Sequence, residues 1–165
     1  MKPKIKRILY ATDLSENARY AFSYAADLAQ KYSAQITIIS VLETLGSNSE
    51  TRLKDMLGTE RWEQLKSEHA KGSVEKIKGR VSDYCKEMDN QIDSCSQRVD
   101  DIRVPQGVPH VEILKTAKNI KADIIIVGTH GHNVFQDSLL GTTARRIVKD
   151  SKVPVLVIRL SERNQ

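Results

Sequence analysis

Three of the chain's eight glycines, Gly128, Gly131 and Gly141, fall within fourteen residues in the spacing G-x2-G-x9-G, and Thr142 and Thr143 follow the last of them. Glycine carries no Cβ, so Gly128 and Gly131 can take positive φ and bring backbone N–H groups close to a phosphate. Gly141-Thr142-Thr143 opens a helical pattern, and the free N–H groups and positive dipole end of a helix start favour an anion. The threonine hydroxyls could bond a phosphate oxygen or cap the helix. The same residues also describe an ordinary glycine turn followed by a threonine cap, and the spacing alone leaves both readings open. A Walker A pattern, G-x4-G-K-[ST], occurs nowhere, and no G-x-G-x-x-G follows the first apolar segment. That argues against both a P-loop and a conventional dinucleotide site.

Other residue types near this loop suggest other chemistry. His130 and His132 flank Gly131, but no cysteine or third histidine lies beside them, so zinc ligation is not expected. Magnesium held through phosphates would need few dedicated protein ligands. Asp13 and Ser15 follow the first apolar segment and are candidate caps for the helix after it. A nucleophile elbow, G-x-S-x-G, is absent, which leaves a hydrolytic triad through Ser15 without support.

These residues need elements to hold them. Five short segments rich in β-branched residues read as strands: residues 7–12, 35–42, 99–104, 123–128 and 153–158. The second and fourth are near-continuous apolar runs, as in strands buried on both faces of a parallel sheet. Between them, Ala18, Ala21, Phe22, Ala25, Leu28 and Ala29 form one amphipathic stripe, and Ile77, Val81, Tyr84, Cys85 and Met88 form another. A third helix is predicted from Pro109, with Ile113, Leu114, Ala117 and Ile120 inward, and a fourth over residues 142–150, with Ala144, Ile147 and Val148 inward. Strand–helix alternation of this kind predicts an α/β fold: a five-stranded parallel open sheet, doubly wound and Rossmann-like, strand order 3-2-1-4-5, with helices on both faces. Ligands of such sheets bind beyond the carboxyl ends of the strands, which is where Asp13 and the glycine loop fall. Residues 43–72 interrupt the alternation and read as a loop with an irregular helical stretch over residues 52–65.

Composition sets outer bounds. The chain has 165 residues and 39% apolar content, which suits one domain over residues 1–165 with a core that needs no staples. No apolar run reaches the roughly 18 residues of a membrane span, and the apolar stretch after the basic start is too short for a signal peptide. Cys85 and Cys95 form neither a CxxC pair nor a dense framework, so a reducing, cytoplasmic setting is expected, with Cys85 a small buried apolar residue. Lys and Arg number 26 against 21 Asp and Glu. The cations are spread along the sequence with acids between most of them, which fits a solvated surface rather than a nucleic-acid stripe.

The residues quoted so far carry a specific resemblance. Ile8-Leu9-Tyr10-Ala11-Thr12-Asp13 with its alanine-rich helix, Val104-Pro105-Gln106-Gly107-Val108-Pro109 with Ile113 and Ala117, and the run from Ala122 to Ile158 together resemble a universal stress protein domain. That family's nucleotide signature, G-x2-G-x9-G-[ST], is met by Gly128, Gly131, Gly141 and Thr142. The resemblance spans the chain apart from residues 43–72. It implies an ATP site in which Asp13 holds the ribose and Ala11 and Thr12 lie beside the adenine. Main-chain groups of Val41 would meet the adenine edge. Gly128, His130, Gly131, His132, Gly141, Thr142 and Thr143 would surround the phosphates. AMP or ADP would fit the same positions, and Mg2+ would enter bound to the phosphates. Many relatives carry Lys or Arg just after the second glycine, where this chain has His132 and Asn133, and a largely neutral histidine would grip phosphate less firmly at neutral pH.

The last strand, Val153-Pro154-Val155-Leu156-Val157-Ile158, should form a sheet edge, and a proline near its start is tolerated only there. An uncovered apolar edge is a liability, so a twofold homodimer pairing this strand with its mate is expected, as the resemblance also implies. The expected role is an ATP-binding regulatory module of the stress response rather than a dedicated enzyme, with adenine nucleotide and a second copy as partners and neither nucleic acid nor membrane. A slow ATPase and a nucleotide-free interaction protein are the alternatives.

Overall fold

The computed structural model describes residues 4–13, 15, 18–44, 46–87, 95–129 and 140–159. The main sheet holds five strands: β1 (Arg7–Ala11), β2 (Gln35–Ile39), β4 (Val99–Arg103), β6 (Ile124–Gly128) and β7 (Val155–Ile158). All neighbours pair in parallel, in the order β4-β2-β1-β6-β7. In chain order this is the expected 3-2-1-4-5 arrangement. Two short strands, β3 (Leu42–Glu43) and β5 (Gln106–Gly107), pair separately beyond the main sheet. Leu42, expected at the end of the second strand, therefore belongs to this smaller ribbon.

Side-chain alternation sorts the strands' residues onto two faces. Ile8, Tyr10, Ile36, Ile38 and Ile126 pack on one face against helix α1 (Ala18–Tyr32) and helix α3 (Thr59–Glu87). Leu9, Ile39, Ile125 and Val127 pack on the other against α4 (Pro109–Asn119) and α5 (Thr142–Asp150). The helix on each side buries the stripe its period predicts: Ala21, Phe22, Ala25 and Ala29 in α1, Ile113 and Ala117 in α4, Ala144 and Ile147 in α5. Val148 departs from expectation, since it is 47% exposed. It follows Ile147 by one residue, about 100° around the helix, and the nine-residue helix has room for one buried stripe only.

Residues 43–72 are more regular than their composition suggests. Helix α2 (Ser47–Leu57) and the first half of α3 form a hairpin, and α2 buries none of its residues. Gly58 makes the turn between them at φ +83°, a left-handed conformation that favours glycine, and donates its N–H to Lys54 O at 2.8 Å. The helices were hidden because their support is mutual and polar. Glu50 accepts from Trp62 Nε1 at 3.3 Å and pairs with Lys54 and Lys66.

Cys85 is buried as expected, but the expectation of two unpaired cysteines is overturned. Cys85, near the end of α3, and Cys95, before a short 3-10 turn (Ser96–Arg98), are joined in a disulfide, and both are buried in the α1–α3 core. Their spacing matches no sequence motif. Only the return of the chain from α3 toward β4 brings their Cα atoms to 5.4 Å, within disulfide reach. β4, the third strand of the main sheet, is its most polar because it is an edge strand, where Arg103 Nε donates to Asp101 Oδ2 at 2.7 Å.

Candidate functional site

A cavity of about 390 Å³ opens at the carboxyl ends of β1, β2 and β6, over the face covered by α4 and α5. The sequence brings its walls together from four places. The β1–α1 connection supplies Ala11, Thr12 and Asp13, the segment after β2 supplies Val41, the end of β6 supplies Gly128, and the start of α5 supplies Gly141, Thr142 and Thr143. Eight of the eleven residues expected around a nucleotide therefore line one cavity. The other three, His130, Gly131 and His132, lie outside the described residues.

Local geometry explains why these positions present polar groups. Thr12 N donates to Ile39 O at 2.9 Å, which fixes the turn after β1 against the end of β2. Asp13 Oδ1 accepts from Ser15 N at 3.0 Å, an Asx turn. Ser15 O accepts from Ala18 N at 3.1 Å, next to the first described residue of α1, and residues 16 and 17, on which the expected cap depends, lie outside the described residues. After β2 the chain stays extended: Ser40 N donates to Arg103 O and Leu42 N to Pro105 O. Val41, between them, turns its own N–H and C=O the opposite way, by the alternation of an extended chain. It also lines the cavity.

At the far wall, Gly141 N donates to Thr129 O at 2.7 Å and Gly141 O accepts the first helical bond, from Arg145 N. Gly141 is the N-cap of α5, with φ −62° and ψ 159°, and makes no side-chain cap bond. The N–H groups of the first turn of α5 thus face the wall without a threonine cap, the second of the two readings of this motif. Positive φ is not what Gly141 supplies, and Gly128 is the last residue of an extended strand. Gly107 does take a positive φ, +157°, and a Cβ there would stand 2.8 Å from Glu112 Cγ. It positions the start of α4, whose first residue, Pro109, also lines the cavity.

Several lining residues were not among the expected site residues: Tyr10, Ser15, Ile39, Glu43, Ile113 and Thr129. Tyr10 is buried, donates its hydroxyl to Ala18 O at 2.7 Å, and has its phenol pKa pushed far up by that burial. Across Tyr10, Thr12, Ser15 and Ala18 lies a second cavity of about 360 Å³ between α1 and α3, walled by Phe22, Ile77 and Tyr84, which sequence reasoning missed. Among the described residues no group of three or more His, Cys, Asp or Glu is placed to hold a metal ion, and no helix is long and apolar enough to cross a membrane.

Comparison with known proteins bears on this geometry. Residues 4–159 match the model of the universal stress protein family. The universal stress protein MJ0577 of Methanocaldococcus jannaschii is 29% identical over 163 residues, covering 96% of this chain and 98% of its own. A putative universal stress protein of Staphylococcus epidermidis is 29% identical over 157 residues, covering 95% and 86%. Among solved structures, that of MJ0577 superposes with a TM-score of 0.71 at 26% identity, covering 96% of this chain and 99% of that one. A universal stress protein in complex with cAMP shares the fold at a TM-score of 0.54 and 18% identity, covering 96% and 99%.

Proposed function

Because the chain belongs to the universal stress protein family, we propose that it is a nucleotide-binding stress protein whose cavity takes ATP and whose occupancy is passed to a protein partner. One observation carries this reading: Ala11, Thr12, Asp13, Val41, Gly128, Gly141, Thr142 and Thr143, scattered over four segments of the chain, line a single cavity. The residues fit the parts of an adenine nucleotide. The cavity-side main-chain groups of Val41 suit an adenine edge, the Asp13 carboxylate suits two ribose hydroxyls, and the N–H groups at the start of α5 suit phosphate. ATP would supply the charge and any Mg2+, carried on its own phosphates. His130, Gly131 and His132 are proposed to complete the phosphate wall.

Thermal unfolding with and without ATP tests the site. ATP at ~100 times its Kd should add about 2.7 kcal/mol of stability. Gly141→Val, which fills the space at the start of α5, and Asp13→Ala should each remove most of that gain. Should ATP stabilise Gly141→Val as strongly as the parent chain, the cavity is misassigned.

The edge strand β7 is the proposed dimer contact. Pro154 O accepts from Ile125 N and Ile158 O from Thr129 N, so the even positions face β6. Val155 and Val157 therefore turn their backbone groups outward, where a second copy could pair with them. Sedimentation velocity should show a dimer, and Val155→Pro, which deletes an outward donor, should shift it toward monomer.

A further inference from the structure

The chain's positive surplus looks diffuse along the sequence, but the fold gathers it in one place. Residues 109–121 and 142–152, which hold α4 and α5, carry seven cations (Lys115, Lys118, Lys121, Arg145, Arg146, Lys149, Lys152) and two acids (Glu112, Asp150). Taking these from the chain's 26 and 21 leaves 19 of each elsewhere. The whole net charge of +5 thus sits on the layer that covers one face of the sheet. All seven cations are exposed. Lys115 pairs with Glu112 at 3.6 Å and Arg145 donates to Leu140 O, whereas among the described residues Lys118, Lys121, Arg146, Lys149 and Lys152 form no ion pair. On α2 and α3, by contrast, nine cations share the helices with eight acids, and Lys54–Glu50, Lys66–Glu63 and Lys78–Glu75 form ion pairs.

The same layer also exposes aliphatic surface. Val108, Val111 and Val148 are 46%, 47% and 47% exposed. Val111, Lys115 and Lys118 follow one another at i, i+4 and i+7 on the outer side of α4, opposite the buried Ile113 and Ala117. On α5, Val148 stands one turn from Arg145. The outward face is therefore a mixed surface, with unpaired cations set among valines, and neither helix carries Phe, Tyr or Trp, the one imidazole being His110 in the first turn of α4.

We propose that the outer face of α4 and α5 is a docking surface for an acidic segment of another protein, one that carries aliphatic side chains among its Asp and Glu residues. The unpaired cations supply charge complementarity and the valines supply contacts that only an aliphatic partner can use. A phosphate backbone would leave the valines without a role, and base stacking would need Phe, Tyr or Trp rings, which neither helix carries. Both helices also begin at the cavity, through Pro109 and Gly141, so a partner seated here lies on the elements that the cavity's contents touch.

The test uses the full-length chain and a fluorescent synthetic helix with a Glu stripe beside Leu residues, read by anisotropy. Binding should be seen at low salt and weaken as ionic strength rises. Lys118→Glu, Arg146→Glu and Lys149→Glu combined should weaken it about tenfold or more, since each change turns attraction into repulsion at an exposed site. Val148→Ser should weaken it about threefold through lost apolar area. These residues are exposed, so the thermal midpoint of each variant should stay near the parent's, which separates lost docking from lost folding. Undetectable peptide binding overturns the proposal, as does undiminished binding by the charge-reversed variant. A duplex DNA of matched charge that binds as tightly as the peptide, with Val148→Ser without effect on either, also overturns it in favour of a general polyanion surface.

Discussion

The layer of α1 and α3 and the layer of α4 and α5 cover opposite faces of one sheet, yet they are held down and decorated differently. The α1–α3 layer is sealed by rings and a covalent link. Tyr10 and Phe22 pack with centroids 5.6 Å apart, Phe22 and Tyr84 meet edge to face at 5.3 Å, and the Cys85–Cys95 disulfide fastens the end of α3. Among the described residues the core beneath the α4–α5 layer holds no aromatic ring and takes Ile113 and Ala117 from α4 and Ala144 and Ile147 from α5. Outside, α1 and α3 set nine cations among seven acids, whereas residues 109–121 and 142–152 set seven cations against two. Both helices of the second layer begin at the cavity, whereas from the first layer only Ala18 and Ala21 of α1 reach it. A layer with one thin apolar seam, an open charged surface and its helix starts on a cavity is suited to respond to ligands. The layer with rings and a disulfide is suited to hold the sheet.

If that contrast is right, the aliphatic seam should be fragile. Ile147 is fully buried and is the main large side chain that α5 contributes to its core. Ile147→Ala should cost roughly 2–5 kcal/mol, measured by urea unfolding, because the short helix has little else to refill the cavity. Its neighbour Val148 should tolerate alanine within about 0.5 kcal/mol, as an exposed position does. Equal effects at the two positions would mean that the faces of α5 are assigned the wrong way round.

The covalent link gives the next largest effect. Cys85 and Cys95 are 10 residues apart, and closing a loop of that size stabilises by about 2–3 kcal/mol in the chain-entropy account. Reduction, or Cys95→Ser, should cost about that amount. Hydrogen exchange should then rise at the end of α3 and leave α4 and α5 unchanged. Rising exchange in α4 and α5 would show that the two layers are not energetically separate.

The two layers also differed in how much of them could be read in advance. The strands, their order and α1, α4 and α5 follow from local period, because each buries a single stripe against the sheet. The cavity was legible for the same reason: Asp13, Gly128 and Gly141 sit at the ends of elements whose period fixes where they stop. What escaped was non-local. Nothing near Cys85 points to Cys95, since the pairing depends on how the chain returns after α3. The α2–α3 hairpin bonds to itself through Glu50, Trp62 and Lys66, so it shows no core-facing stripe. The gathering of seven cations on one layer required knowing that α4 and α5, separated in sequence by β6, lie side by side.

The smallest effect concerns the two phenols of the sealed layer. Burial raises the pKa of Tyr84, first among its causes, and Tyr10 is raised further for the same reason. In the unfolded chain both would titrate near 10. The native state therefore keeps protons that the unfolded state gives up, so their contribution to stability is complete below pH ~10 and declines as pH rises above it. Each phenol should add a slope of about 1.4 kcal/mol per pH unit above that point, until its own folded pKa is reached. Tyr84 separates the proton effect from the packing effect. Its hydroxyl is buried without a well-formed partner, beside a Ser23 hydroxyl that donates to Tyr20 O at 2.6 Å. Tyr84→Phe keeps the ring against Phe22 and removes only that hydroxyl, so at neutral pH stability should change by no more than about 1 kcal/mol. Above pH ~10 the variant should lose stability more slowly than the parent. Unfolding curves that stay parallel from neutral to alkaline pH would mean that the hydroxyl reaches solvent, and that the α1–α3 layer is no better sealed than the one across the sheet.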